Sequence, residues 1–150
     1  MYAYSELYIS SAQDVLGKML EYAVYDLNMK VEEIYKAFLN SGIAERFGVG
    51  EPKFTVGMSG IELALQVMHC ITGEYVYVEA EPRFERSAEY WAGWAIAYYE
   101  WYRNIPFKKL DRYIPIQEIV NMYHPYHEAD ITKFVQEIDR RIERRIAENI

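Results

Sequence analysis

The chain has 150 residues, of which 51% are apolar and 26% charged. That is the length of one domain, enough to bury a core without disulfide or metal staples, and the balance excludes wholesale disorder. The formal net charge of −7 divides as 8 acids against 5 bases over residues 1–60, 7 against 3 over 61–104, and 8 against 8 over 105–150. No segment therefore offers the basic patch that a phosphate backbone requires, which disfavours nucleic-acid binding, while an acidic surface suits steering toward a basic partner.

The first helical pattern is a stripe of Ala12, Val15, Leu16, Met19, Leu20, Ala23, Val24 and Leu27 at steps of three and four, with Ser10 or Ser11 as its expected cap. Val31, Ile34, Tyr35, Phe38 and Leu39 repeat the spacing, with Glu32 and Glu33 in the first turn and Gly42 as the stop. Gly48, Gly50, Pro52 and Gly57 punctuate the next stretch. Ser59-Gly60-Ile61-Glu62 then reads as a capping box. The helix behind it carries Ile61, Leu65, Val67, Met68 and Ile71 nearly all round and is expected to be buried. Tyr75-Val76-Tyr77-Val78-Glu79 is a strand-like run, and Phe54-Thr55-Val56 is its one obvious mate for a small ribbon.

Ser87 opens a central helix over Ala88–Arg103, where Trp91, Trp94, Tyr98 and Trp101 share one side. Pro106 and Pro115 can each begin a short helix. The last helix runs from about Glu128 with a stripe of Ile131, Phe134, Val135, Ile138, Ile142 and Ile146. Its charges interleave, and Glu137 to Arg141 is a favourable i,i+4 pair on a solvated face. The fold expected is all-α: one domain over 1–150, an irregular or orthogonal bundle of about five to seven helices, with room for one short β-ribbon.

Reactive groups do not converge in the sequence. His124, His127, Glu128 and Asp130 could together hold a divalent ion, and a small metal-dependent or ligand-binding enzyme using them is the alternative reading. The spacing lacks the two-histidine face of HExxH, however, and Glu128 and Asp130 point about 200° apart on a helix. Helix-start acids explain the cluster as well. Ser59 in Gly57-Met58-Ser59-Gly60 is explained by capping rather than nucleophilic attack. Cys70, the single cysteine, is expected to be a buried structural thiol in a reducing compartment. Glycine spacing matches neither a dinucleotide fingerprint nor a phosphate loop, and no cofactor is implied. The N-terminus lacks the basic start and apolar run of a signal peptide, and no apolar run is long enough for a bilayer. A cytoplasmic location away from membranes is the expectation.

The strings Ser87-Ala88-Glu89-Tyr90-Trp91-Ala92-Gly93-Trp94, Ala97-Tyr98-Tyr99-Glu100-Trp101-Tyr102 and His127-Glu128-Ala129-Asp130-Ile131-Thr132-Lys133-Phe134 resemble a family of small bacterial proteins. So do Ser41-Gly42-Ile43-Ala44 and Gly57-Met58-Ser59-Gly60-Ile61-Glu62-Leu63. Genes of that family lie near ADP-ribosyltransferase-like toxin genes, which implies an antitoxin-like or accessory role and no catalytic residues. The expected function is a non-enzymatic regulator that binds another protein, a toxin or a host factor, with homodimerisation compatible. The expected contacts are Tyr75 and Tyr77 of the strand-like run and Trp101 and Tyr102 at the end of the aromatic helix.

Overall fold

The computed structural model describes residues 1–149 as ten α-helices and one 3₁₀ turn, with no β-strand among the described residues. After the turn at Glu6–Tyr8 come α1 (Ile9–Tyr25), α2 (Val31–Asn40), α3 (Ile43–Gly48), α4 (Pro52–Thr55) and α5 (Gly60–Thr72). Beyond a non-helical stretch follow α6 (Ala88–Arg103), α7 (Phe107–Tyr113), α8 (Ile116–Val120), α9 (Tyr123–Tyr126) and α10 (Ile131–Glu148).

The all-helical class matches the expectation, while the count exceeds five to seven because turn residues subdivide the chain. Gly42, at φ 84°, separates α2 from α3, and Pro52, Pro106 and Pro115 start or precede α4, α7 and α8. The expected ribbon does not form. Phe54 and Thr55 are buried in the helical turn that Pro52 opens, so the mate proposed for Tyr75–Glu79 is not a strand. Local β propensity gives way there to proline's fixed φ and to burial of the Phe54 ring.

Two serines cap as the sequence predicts: the Glu62 N–H donates to Ser59 Oγ at 3.1 Å, and the Tyr90 N–H donates to Ser87 Oγ at 3.0 Å. At α1 the cap differs. The helix follows the 3₁₀ turn directly, and Ser11 instead donates to the Thr55 carbonyl at 2.7 Å.

The core is built on α1, which lies against both α6 and α5. Backbone meets backbone where α1 and α6 cross: a Cβ placed on Gly93 would stand 2.6 Å from the Leu16 carbonyl oxygen and 2.7 Å from Gly17 Cα. Around this crossing, Leu16, Met19 and Leu20 of α1 and Ala92, Ile96 and Tyr99 of α6 are buried. Phe38, Phe47 and Phe107 pack edge-to-face or tilted at one end, with centroids 5.5–6.0 Å apart, a favoured aromatic geometry. α10 closes the opposite side with Phe134, Val135 and Ile138. Its basic face is partly a clasp rather than wholly solvated, because Arg141 and Arg145 each reach Glu118 of α8 at 2.8 Å. Burial alone would raise the Glu118 carboxyl, but the two guanidiniums outweigh it and hold it below the ordinary value.

One acid breaks the apolar rule. Glu100, on α6, is 2% exposed, and burial pushes its carboxyl from 4.5 up to about 9. The folded state therefore keeps a proton that the unfolded chain releases near pH 4.5, so this group's contribution to stability declines as pH rises from about 4.5 toward about 9. Chemical denaturation of Glu100→Gln across that window should give a flatter stability profile than wild type, with the variant gaining most at the alkaline end. Gly93→Ala should cost about 1–3 kcal/mol by the same measurement, since neither backbone can retreat. Gly42→Ala, with open space around it, should cost only the left-handed strain of about 1 kcal/mol.

Candidate functional site

Between α5 and α6 the chain runs from Glu74 to Arg86 outside any helix or strand, with a bend at Phe84 and Glu85. Among the described residues no backbone-to-backbone hydrogen bond involves this stretch. Side chains hold it instead. The Tyr22 hydroxyl accepts from the Val78 N–H at 3.0 Å and donates to the Val78 carbonyl. Asp26 accepts from the Glu81 N–H at 3.1 Å and takes both Arg83 guanidinium nitrogens at 3.2 Å. Glu21 accepts from the Ser87 N–H at 3.0 Å and the Ser87 hydroxyl at 2.7 Å. Glu21, Tyr22 and Asp26 are all buried; Glu21 and Tyr22 lie in the C-terminal half of α1 and Asp26 is its C-cap, so all three reach one strip of chain. The Asp26 hydrogen bond raises the Arg83 pKa above its ordinary value. Beneath the strip lies a cleft of about 370 Å³ lined by Lys18, Glu21, Asp26 and residues 80–86.

Anchored from below, the segment turns its apolar side chains outward. Tyr75, Val76, Tyr77, Val78 and Phe84 are exposed, Tyr77 by 63%. Tyr75 is oriented nonetheless, stacking flat on His69 of α5 at 4.0 Å. Beside it, α5 does not bury its apolar girth as expected. Gly60, Leu63, Ala64 and Val67 face the core, whereas Leu65 and Met68 are half-buried and Ile71 is 49% exposed. Leu27, Met29, Leu65, Met68 and Val76 line an open apolar groove of about 280 Å³ between α5 and the segment. Cys70 is also exposed, on a different flank of α5 from this groove, which corrects the expectation of a buried thiol; α5 packs on α1 and α2 along one face only.

The other expected contacts are placed differently. Trp101 is 3% exposed: Tyr2 stacks on it at 4.1 Å, and its indole N–H donates to the Tyr4 carbonyl at 2.8 Å. Tyr102 is half-buried, stacked with Tyr98 at 5.6 Å and overlaid by Arg103. Both belong to an aromatic cluster under the N-terminal residues, remote in sequence from Tyr75 and Tyr77.

The four residues considered for a metal do not converge. His127 stacks on Tyr123 at 4.0 Å and places Nε2 3.3 Å from Glu128. The His124 and His127 ring centroids are 6.4 Å apart. Asp130 caps α10, accepting from the Thr132 N–H at 2.9 Å and from its hydroxyl at 2.8 Å. Among the described residues no group of three or more His, Cys, Asp and Glu side chains is arranged to hold an ion.

The anchors Glu21, Tyr22, Asp26 and Arg83 have no counterpart in the sequence-based reading. Their partners lie 55 to 66 residues away, beyond the reach of helical periodicity. The one available signal was that Glu21, Tyr22 and Asp26 stand among the apolar residues at the C-terminal end of α1.

Comparison with known proteins adds little. No family model matches the chain, and no solved structure matches it. A tRNA dimethylallyltransferase of Clostridioides difficile (strain 630) is 27% identical over 107 residues, covering 71% of this chain and 34% of that protein. The chain thus spans about a third of the length of the curated relative it matches. No helix of the described residues is long and apolar enough to cross a membrane.

Removing the anchors should loosen the segment without unfolding the bundle. Tyr22→Phe deletes the hydroxyl that serves both Val78 groups and should cost about 1 kcal/mol. Asp26→Ala releases Arg83, so limited trypsin digestion should cut after Arg83 faster in the variant than in wild type. Equal cleavage rates would show that Asp26 does not restrain the segment.

Proposed function

We propose that this chain is a non-enzymatic, protein-binding regulator whose docking face is the segment 74–86 together with the outer side of α5. The observation that carries this reading is an exposed apolar strip, Tyr75–Val78, held outside any helix or strand by buried side chains, with its backbone hydrogen-bonding groups largely unused. A strip with free N–H and C=O groups favours strand addition by a partner, with alternate side chains supplying specificity. The adjoining groove adds Met29 and Met68, flexible side chains that adapt to a partner's shape.

Charge argues for a basic partner. Glu74, Glu79, Glu81 and Glu85 lie in the segment against Arg83 and Arg86; Arg83 is paired with Asp26, and Arg86 lies against Asp14 and the Tyr90 ring. A second copy fits less well. Antiparallel self-pairing centred between Val76 and Tyr77 sets Glu74 opposite Glu79 twice, and like charges directly opposed are destabilising. The partner is therefore a protein presenting a sheet edge or extended peptide flanked by Lys or Arg. A toxin encoded nearby, as the family resemblance implies, is the first to test. The tRNA dimethylallyltransferase likeness suggests an RNA substrate by analogy, but an acidic docking face does not favour it.

Co-expression with the products of neighbouring genes should yield a complex whose hydrogen-exchange protection falls on residues 74–81 and the exposed side of α5. Val76→Asp combined with Met68→Asp should weaken that complex at least tenfold, with circular dichroism confirming that the free variant is folded, since Met68 is half-buried while Val76 is exposed. Affinity should also fall with added salt. Protection confined to another surface, or a double variant that binds normally, would exclude this face.

A further inference from the structure

Glu100 calls for an explanation that the docking face does not supply. Its carboxyl is buried on the central helix, and Oε1 has no hydrogen-bond partner. The Tyr4 and Tyr35 hydroxyls are likewise buried without partners. Both phenols are raised above their ordinary value, Tyr4 by burial and then by the neighbouring Glu100, Tyr35 by burial, then Asp111, then Glu100. Two phenols and one carboxyl oxygen are thus the buried side-chain atoms left without a partner among the described residues. Leaving each unpaired is costly.

The carboxyl borders a cavity of about 180 Å³ whose walls include Ala44, Gly48, Val49, Glu100, Phe107 and Lys108. Gly48 makes the space: a Cβ there would stand 2.9 Å from Glu100 Oε2. The walls are largely apolar side chains, and the C-terminal turn of the 16-residue α6 forms one side, where the helix dipole favours positive charge. At the mouth Lys108 is held out by Glu45 at 3.1 Å, both side chains about half exposed. The protein's own ammonium thus stops at the rim.

We propose that this cavity binds the terminal ammonium of a primary alkylamine, with Glu100 as its carboxylate and the Phe107 side of the cavity covering its carbon chain. An ammonium offers three N–H donors and no acceptor, which suits a cavity whose polar lining includes the Glu100 carboxyl and the Asn104 side-chain amide. An apolar lining with few convergent polar groups is the usual make-up of a small-ligand site. At about 30 Å³ per water the space is on the order of six waters, which accommodates an amine of about four carbons. Binding has a defined proton balance. The protonated Glu100 gives its proton to solvent as the ammonium arrives, leaving a carboxylate–ammonium pair. The titratable groups that share the cavity walls with Glu100 are Lys108 from α7 and Glu45 from α3, and the buried Tyr4 and Tyr35 phenols also feel its charge.

Calorimetry of the intact chain at pH 7 with n-butylamine, in two buffers of different ionisation enthalpy, tests the site. Binding should release close to one proton, and n-butanol, of similar shape but uncharged, should not bind detectably. Glu100→Gln, isosteric and checked for folding by circular dichroism, should bind the amine at least tenfold more weakly. Lys108→Met, which removes a like charge from the mouth, should tighten binding severalfold. A blocked Gly-Lys-Gly peptide separates sources: Glu100-dependent binding of the peptide means the ammonium is presented by a lysine side chain, and binding of butylamine alone means a free amine. The proposal is overturned if neither probe binds, if Glu100→Gln binds as well as wild type, or if Lys108→Met leaves affinity unchanged.

Discussion

The backbone contact between α1 and α6 at Gly17 and Gly93 is the constraint on which the rest of the molecule depends. Two helices that meet without intervening side chains fix their crossing closely, because close-packed interiors do not deform continuously. α1 then becomes the innermost helix, with α6 on one flank and α5 on another. A helix so enclosed has little apolar-to-polar contrast left to spend on solvent. The polar residues at its C-terminal end, Glu21, Tyr22 and the C-cap Asp26, are buried and must find partners inside the protein. The chain supplies them from the segment that links α5 to α6.

That segment shows how a strand-like sequence can be held in place without a sheet. Tyr75–Glu79 has the β-branched and aromatic content of a strand, yet the hydrogen bonds that fix the stretch come from the hydroxyl of Tyr22 and the carboxylates of Asp26 and Glu21. Such anchors act at points, one every few residues, and between them the backbone groups remain open to water. A pairing strand would have covered those groups as well as positioned them. The conformational entropy of fixing this stretch is therefore met within the free protein, which lowers what a partner's strand must contribute on docking.

Elements that depend on their own residues were legible in the sequence; elements that depend on distant partners were not. The stripes of α1, α2, α6 and α10 follow from spacing alone, and Ser59 and Ser87 were identifiable as caps because a cap is satisfied within three residues. Phe54–Val56 was misread because strand propensity is weak against a proline at a helix start and a ring to bury. On α5, apolar residues nearly all round implied burial, yet spacing does not say which face finds a neighbour, and Leu65, Met68, Ile71 and Cys70 were left outward. Tyr75 and Tyr77, taken from the strand-like run, are exposed, whereas Trp101, taken from the end of the aromatic helix, is covered by Tyr2. The acids of α1 were invisible because their partners stand more than fifty residues away.

Glu100 belongs to the same logic with the opposite outcome. Glu21 and Asp26 are buried acids whose demand for donors is met by the chain, and they serve to hold a segment. Glu100 is a buried acid on the neighbouring helix whose demand is not met, and the nearest ammonium, Lys108, is kept at the rim by Glu45. A leucine or methionine at that position would avoid the desolvation cost and fill space, since replacing buried polar groups by apolar ones of similar volume is often neutral or stabilising. A carboxyl that is neither paired nor replaced carries a free-energy cost in the resting protein, and that cost falls when a donor from outside enters the cavity. The two buried-acid sites thus divide the tasks of the molecule: one shapes a surface from within, and the other keeps an internal position unsatisfied.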